Sequence, residues 1–168
     1  MKILALDLGT KTGVAANWEP PWLHGAPAIT LQLGAPKEIT GWRKQRQTRR
    51  GDPRVDRLYF FLRGLHPDPD LVVFEDVEFS SYTAQTQLWS SLRSAVWLAF
   101  TGISVVDCVS VTTLKKFATG AGNADKAMME FAALKQCPEL KKFKLDDNAI
   151  DAWWLLQWAE KHLGRMPL

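Results

Sequence analysis

Cysteine is scarce in this chain. Cys108 and Cys137 stand alone, in no CxxC and in no Cys/His cluster, which excludes a disulfide framework. Cys108 lies in an apolar stretch and is expected to act there as a small hydrophobe. Histidine is equally sparse: His24, His66 and His162 are scattered, so no ligand set for structural zinc exists. No apolar run approaches the roughly 18–20 residues needed to span a bilayer. The opening Met1-Lys2-Ile3-Leu4-Ala5-Leu6-Asp7 puts an acid where a signal peptide would continue its apolar run, and no small-residue cleavage site follows. The expected location is the cytoplasm.

The composition is that of a globular protein, 46% hydrophobic and 23% charged, and 168 residues are the length of a single domain with a sizeable core, 1–168. The net charge of +3 hides an asymmetry. Between Arg43 and Arg57 stand seven bases (Arg43, Lys44, Arg46, Arg49, Arg50, Arg54, Arg57) and two acids (Asp52, Asp56), a local +5. The other residues carry 14 bases against 16 acids, a balance of −2. Such a segment raises the local concentration of a polyanion and gives nucleic acid sequence-independent affinity through counterion release. The plainer alternative is a solvated loop that keeps the protein soluble.

Periodicity predicts the elements. Met1 to Leu6 reads as a fully buried strand, Asp7 to Gly13 as a turn, Val14 to Trp18 as a returning strand and Ala28 to Leu33 as a third. The basic segment from Arg43 to Asp52 reads as a loop. From Pro53, Val55, Leu58, Tyr59, Leu62 and Leu65 recur at helical spacing, and the helix should stop near His66-Pro67. Leu71 to Phe74 is another buried strand ending at Glu75-Asp76. Thr83 to Phe100 is helical, Ile103 to Val111 a strand, about Ala124 to Gln136 a helix after the Gly120-Ala121-Gly122-Asn123 loop, and Asp147 to His162 the last helix. The order β-β-β-α-β-α-β-α-α implies an α/β fold: a mixed five-stranded sheet with helices on both faces.

Three acidic sites lie where burial is expected. Asp7 and Glu75 each follow a purely apolar strand. Asp146, Asp147 and Asp151 open a helix that continues Ala152, Trp153, Trp154, Leu155, Leu156. Ionised carboxylates there are costly unless paired, hydrogen-bonded or bound to a cation. Converging carboxylates repel one another until a divalent ion neutralises them, and oxygen ligands without histidine or cysteine select hard ions such as magnesium or manganese. Singly, each acid has another account: Asp7 as a turn cap, Glu75 as a solvated strand end, Asp146 or Asp147 as a helix N-cap with Asp151 favoured by the macrodipole.

Asp7-Leu8-Gly9-Thr10-Lys11-Thr12-Gly13-Val14-Ala15, then Val73-Phe74-Glu75-Asp76-Val77, then Asp146-Asp147-Asn148-Ala149-Ile150-Asp151-Ala152 resemble, in order and spacing, the RuvC family of Holliday-junction resolvases. Leu114-Lys115-Lys116-Phe117-Ala118-Thr119-Gly120 resembles that family's lysine-bearing segment, and Asn123-Ala124-Asp125-Lys126 its junction between glycine loop and helix. The resemblance implies an RNase H-like fold, a homodimer and two-metal hydrolysis of phosphodiesters in four-way or other branched DNA. The sequence departs from the bacterial pattern, which carries Asp or His three residues before the last Asp: here that position is Asn148 and the acid is Asp147, as in phage-type relatives. Asp147 and Asp151 share a helix face, so they are the expected pair, with Asn148 or Asp146 as the alternative fourth ligand.

By that resemblance Asp7 bridges two Mg2+ ions (Mn2+ substituting), Glu75 holds one side and Asp147 with Asp151 the other. Lys115 neutralises charge on the scissile phosphate, and Lys126 grips a phosphate at a helix start. Arg43, Lys44, Arg46, Arg49 and Arg50 supply the basic DNA contact, although this run has no counterpart in the family's core motifs. Phe79 stacks on unpaired bases, and Val77 to Trp97 corresponds to the two-fold interface. Lys115 is otherwise a surface lysine and Phe79 a packing residue. Trp153, Trp154 and Trp158 read as core or dimer contacts. The competing function is an RNase H or a YqgF-like nuclease acting on RNA or RNA–DNA hybrid. An actin-like or sugar-kinase ATPase, which shares Asp-x-Gly-Thr, needs a duplicated domain and a far longer chain.

Overall fold

Strand β1 (Ile3–Asp7) carries the first apolar run and lies at the centre of one sheet of five strands. The computed structural model describes residues 1–34, 52–76 and 83–164, with the backbone alone at 83 and 84. Strand β2 (Lys11–Ala16) returns antiparallel to β1 with Asp7 opposite Gly13, and β3 (Ala28–Gln32) runs antiparallel to β2. On the other side, β4 (Leu71–Asp76) is parallel to β1, and β5 (Val105–Ser110) is parallel to β4. The order is β3-β2-β1-β4-β5, a mixed sheet as expected. A helix directly precedes β4, and another joins β4 to its parallel neighbour β5 as a crossover requires.

The alternation of side chains along the strands divides the core in two. Ile3 and Ala5 of β1 and Leu71 and Val73 of β4 point to one face. There they pack under α5 (Asp147–His162), with α3 (Val111–Thr119) and α4 (Lys126–Gln136) beside it. Leu4, Leu6, Val72 and Phe74 point to the other, against Leu58 and Leu62 of α1 (Pro53–Arg63) and Leu92, Ala95, Val96 and Ala99 of α2 (Thr83–Phe100). Trp153 and Trp154 are buried under α5, and the Trp154 indole donates 3.1 Å to the Met129 carbonyl, tying α5 to α4. Their role is therefore in the core. No described helix is long and apolar enough to cross a membrane.

Several boundaries differ from the periodic reading. The stretch after β5 forms α3, an additional helix that was absent from the predicted order. Its residues Val111, Thr112 and Thr113 favour strands, but Ser110 ends β5 and caps the helix, accepting from the Thr113 N–H, and Leu114 is buried. The predicted strand Ile103–Val111 is thus shortened to Val105–Ser110. Strand β2 begins at Lys11 instead of Val14. The turn is shorter because Thr12, fully buried, donates 2.9 Å to the Gly9 carbonyl and closes it from within. Helix α4 begins at Lys126 rather than near Ala124, since Asp125 accepts from Met128 N–H as its N-cap.

Candidate active site

Alternation decides which acids share a face. Asp7 follows Ile3 and Ala5, and Glu75 follows Leu71 and Val73, so both carboxyls emerge on the face covered by α5, from adjacent parallel strands. Helix α5 brings Asp151 over them. Its approach is set by Gly13, opposite Asp7 in the β1–β2 pair: a Cβ there would stand 1.9 Å from the Asn148 carbonyl oxygen and 3.0 Å from Ala152 Cβ. Only a residue without a side chain lets the first turns of α5 lie on β2 at this point. Behind the sheet, the Trp89 indole of α2 donates 3.0 Å to the Leu8 carbonyl, fixing the backbone next to Asp7.

The three carboxyls occupy unfavourable ground together. Burial pushes the Asp7 carboxyl well above its usual range, Glu75 and Asp151 push it further, and Lys126 opposes them. Among the described residues no donor hydrogen-bonds this carboxylate. Glu75 is raised to about 7, by burial first and by Asp151 second, with Lys115 opposing. Asp151 is raised to about 6 by burial; Lys126 and Lys115 oppose this and Asp147 adds to it. The cause throughout is desolvation plus like charge. Among the described residues no three His, Cys, Asp or Glu side chains already close on one point. The donor set fits a hard divalent cation, which lowers such pKa values by its own charge.

The rim of the site is polar and exposed. Asp147, in the first turn of α5, is paired with Lys126 Nζ at 2.7 Å. Asp146 is the N-cap, accepting 3.1 Å from the Ala149 N–H and also accepting from the Thr30 hydroxyl. Partial burial raises its carboxyl, but bonds from Thr30, Ala149 and Asn148 and the charge of Lys11 outweigh this and hold it below the usual range. Asn148 is thereby engaged with Asp146. Lys115, half-buried on α3, acts electrostatically on both Glu75 and Asp151.

No family model matches the sequence, and no curated protein matches it either. Solved structures do. A structure of T. thermophilus RuvC in complex with a Holliday junction substrate superimposes with a TM-score of 0.68 at 20% identity, covering 99% of this chain and 96% of that one. A second Thermus thermophilus RuvC structure gives 0.66 at 18% identity, covering 98% and 97%. The fold is RuvC-like.

Within this RuvC-like fold the structure brings together Asp7, Glu75, Asp151 and Lys115, with Asp147 and Lys126 on the rim. Arg43, Lys44, Arg46, Arg49, Arg50 and Phe79 lie outside the described residues. Two of the seven bases counted in the basic segment have work within the fold. Arg54 pairs with Asp52, the N-cap of α1, at 2.5 Å, and Arg57 donates 2.8 Å to the Leu33 carbonyl. A groove of about 750 Å³ lies between α3 and α4, lined by Thr119, Asp125, Met128, Phe131 and Lys135, and none of the acids at the centre of the site lines it. The sequence reading missed Gly13, Thr12, Thr30 and Trp89. Gly13 was visible only as a glycine in a turn, whereas its meaning depends on standing opposite Asp7. Nothing near Trp89 in the chain points to Leu8.

Proposed function

We propose that the protein is a divalent-metal-dependent endonuclease acting on branched DNA, with the four-way junction as its preferred substrate. The observation that carries this is the convergence of Asp7, Glu75 and Asp151 from two strands and a helix onto one face, raised toward neutrality and, among the described residues, unpaired by arginine. A carboxyl cluster of that kind in a RuvC-like fold suits hard-cation chemistry better than a structural role.

Asp7, Glu75 and Asp151, with Asp147 at the rim, are the residues to hold two Mg2+ or Mn2+ ions. Bound there, such ions supply a water activated for attack and neutralise charge at the leaving 3′-oxygen. The chain's own residues do the rest. Asp7 lies on the central strand, next to Leu8, whose carbonyl accepts from the Trp89 indole, and would give a well-anchored oxygen donor. Lys115 presents an ammonium beside Glu75 and Asp151, where it balances charge gathering on a phosphate. Lys126 and the basic segment 43–50 (Arg43, Lys44, Arg46, Arg49, Arg50) hold the DNA backbone, and Phe79 offers a ring to an unstacked base. A homodimer through α2 agrees with the exposure of Trp97 and Leu98, 46% and 69%.

The deciding experiment incubates the protein with labelled four-way junction, forked DNA, RNA–DNA hybrid and structured RNA, in Mg2+, Mn2+ or EDTA. Cleavage of the four-way junction, lost in EDTA and in Asp7→Asn, is the expected outcome. Preferential cutting of hybrid or RNA would move the protein to the RNase H or YqgF-like alternative, and a protein that binds junctions without cutting them would be a binding module.

A further inference from the structure

The contact between α4 and α5 at the rim carries a consequence for how the site is loaded. Lys126 is the first residue of α4 and Asp147 the first of α5, and their side chains meet at 2.7 Å although both are largely exposed, 71% and 51%. Asp125, the nearer acid in sequence, is occupied as the N-cap of α4. The charge of Lys126 is felt beyond that partner. Its charge also favours the ionised forms of Asp151 and Asp7, and its own proton is held more tightly, through the bond to Asp147 first and then through the charges of Asp147, Asp151 and Asp7. One monovalent cation therefore already stands on the open side of the carboxyl cluster.

We infer that Lys126 is a built-in counter-cation of this site, competing with a divalent metal for the Asp147 carboxylate. This rests on the proposed metal-dependent function. An exposed ion pair is weak and exchanges readily, so it can partly balance the acids without blocking the site, and a dication on Asp147 releases the ammonium. The freed lysine is then beside the site where the DNA backbone arrives, so metal loading and the availability of Lys126 to a phosphate are linked.

The test counts free Mn2+ by electron paramagnetic resonance during titration of the whole protein without DNA. Lys126→Met, which keeps the length and loses the charge, is expected to bind Mn2+ on the order of three- to tenfold more tightly, while Lys126→Arg stays near wild type. In an Asp147→Asn background the Lys126→Met gain should largely vanish, because the shared carboxylate is gone. Unchanged or weaker Mn2+ binding in Lys126→Met, with a wild-type site that Asp7→Asn abolishes, overturns the counter-cation while leaving the metal-dependent function standing. A wild-type protein with no Mn2+ site sensitive to Asp7→Asn overturns both.

Discussion

On the α2 side of β4, Asp76 meets Arg93 at 2.9 Å, and that guanidinium lies over the rings of Phe74 and Trp97. One residue earlier and on the opposite face, Glu75 has burial and Asp151 against it and the charge of Lys115 as a counterweight. The two acids are neighbours in sequence with opposite physical situations. Asp76 is compensated, as a partly buried carboxylate in a stable fold is expected to be. Among the described residues Glu75 has no such close pairing and is only partly offset by Lys115, and carboxyls raised by burial and like charge mark candidate functional sites. The face under α5 carries the candidate site, and the face under α1 and α2 carries a paired acid.

The largest effect should separate these faces. Glu75→Gln and Asp7→Asn are each expected to lower junction cleavage by roughly 10²–10³-fold or more, while leaving the metal-free protein at pH 8 at least as stable as wild type. Asp76→Asn should do the reverse, costing about 1–2 kcal/mol of stability with its effect on cleavage small. Thermal melts beside single-turnover cleavage measure both. Equal loss of cleavage in Asp76→Asn and Glu75→Gln would erase the distinction.

Gly13→Ala should come next. The new Cβ meets helix backbone rather than a flexible side chain, so α5 must move off β2. The cost is about 1–3 kcal/mol, and cleavage should fall further than stability accounts for, because Asp151 travels with the helix. Activity assayed at a temperature where the variant is fully folded by circular dichroism tests this; undiminished turnover there would mean that the seating of α5 does not set the site.

The pH dependence of stability should show both kinds of acid. Glu75, Asp151 and Asp7 have raised pKa values, so the folded form binds more protons than the unfolded and stability falls as pH rises from the ordinary carboxylate range to about 7. For Asp52 and Asp146 the net shift is downward, and their contribution disappears at acid pH: partial burial of Asp52 raises its carboxyl, but the bonds from Arg54 outweigh it. In EDTA the melting temperature should therefore peak near the ordinary carboxylate range, at about pH 4, and Mg2+ should recover stability chiefly above pH 7 by mass action. A profile that is flat between pH 5 and 8, with and without Mg2+, would contradict the coupling of the three carboxyls.

The smallest effect is expected at Asp146. Asp146→Asn keeps a capping oxygen and loses only charge, so it should cost well under about 1 kcal/mol and retain substantial cleavage, whereas Asp147→Asn and Asp151→Asn should be severely impaired. An essential Asp146 beside a dispensable Asp147 would shift the register of the site by one residue along α5.

Much of this arrangement was legible before any coordinates. The apolar runs 3–6 and 71–74 specify buried strands, the spacing of Leu58 and Leu62 and of Leu92 and Val96 specifies helix faces, acids directly after the strand runs mark Asp7 and Glu75, and acids opening an apolar helix mark Asp147 and Asp151. These are local signals of period 2 or 3.6, written within a few neighbouring residues. Helix α3 escaped because its first residues favour strands, and its helical state is decided by the Ser110 cap and the burial of Leu114. Gly13 facing Asn148, Trp89 reaching Leu8, Thr30 binding Asp146 and Lys126 closing on Asp147 join residues 21 to 135 positions apart. The sequence by itself determined every strand and every helix but α3, and which residues bear charge. Only the tertiary structure decided which charges meet, because strand register and helix docking are set by the packing of the whole core, not by the residues flanking any one acid.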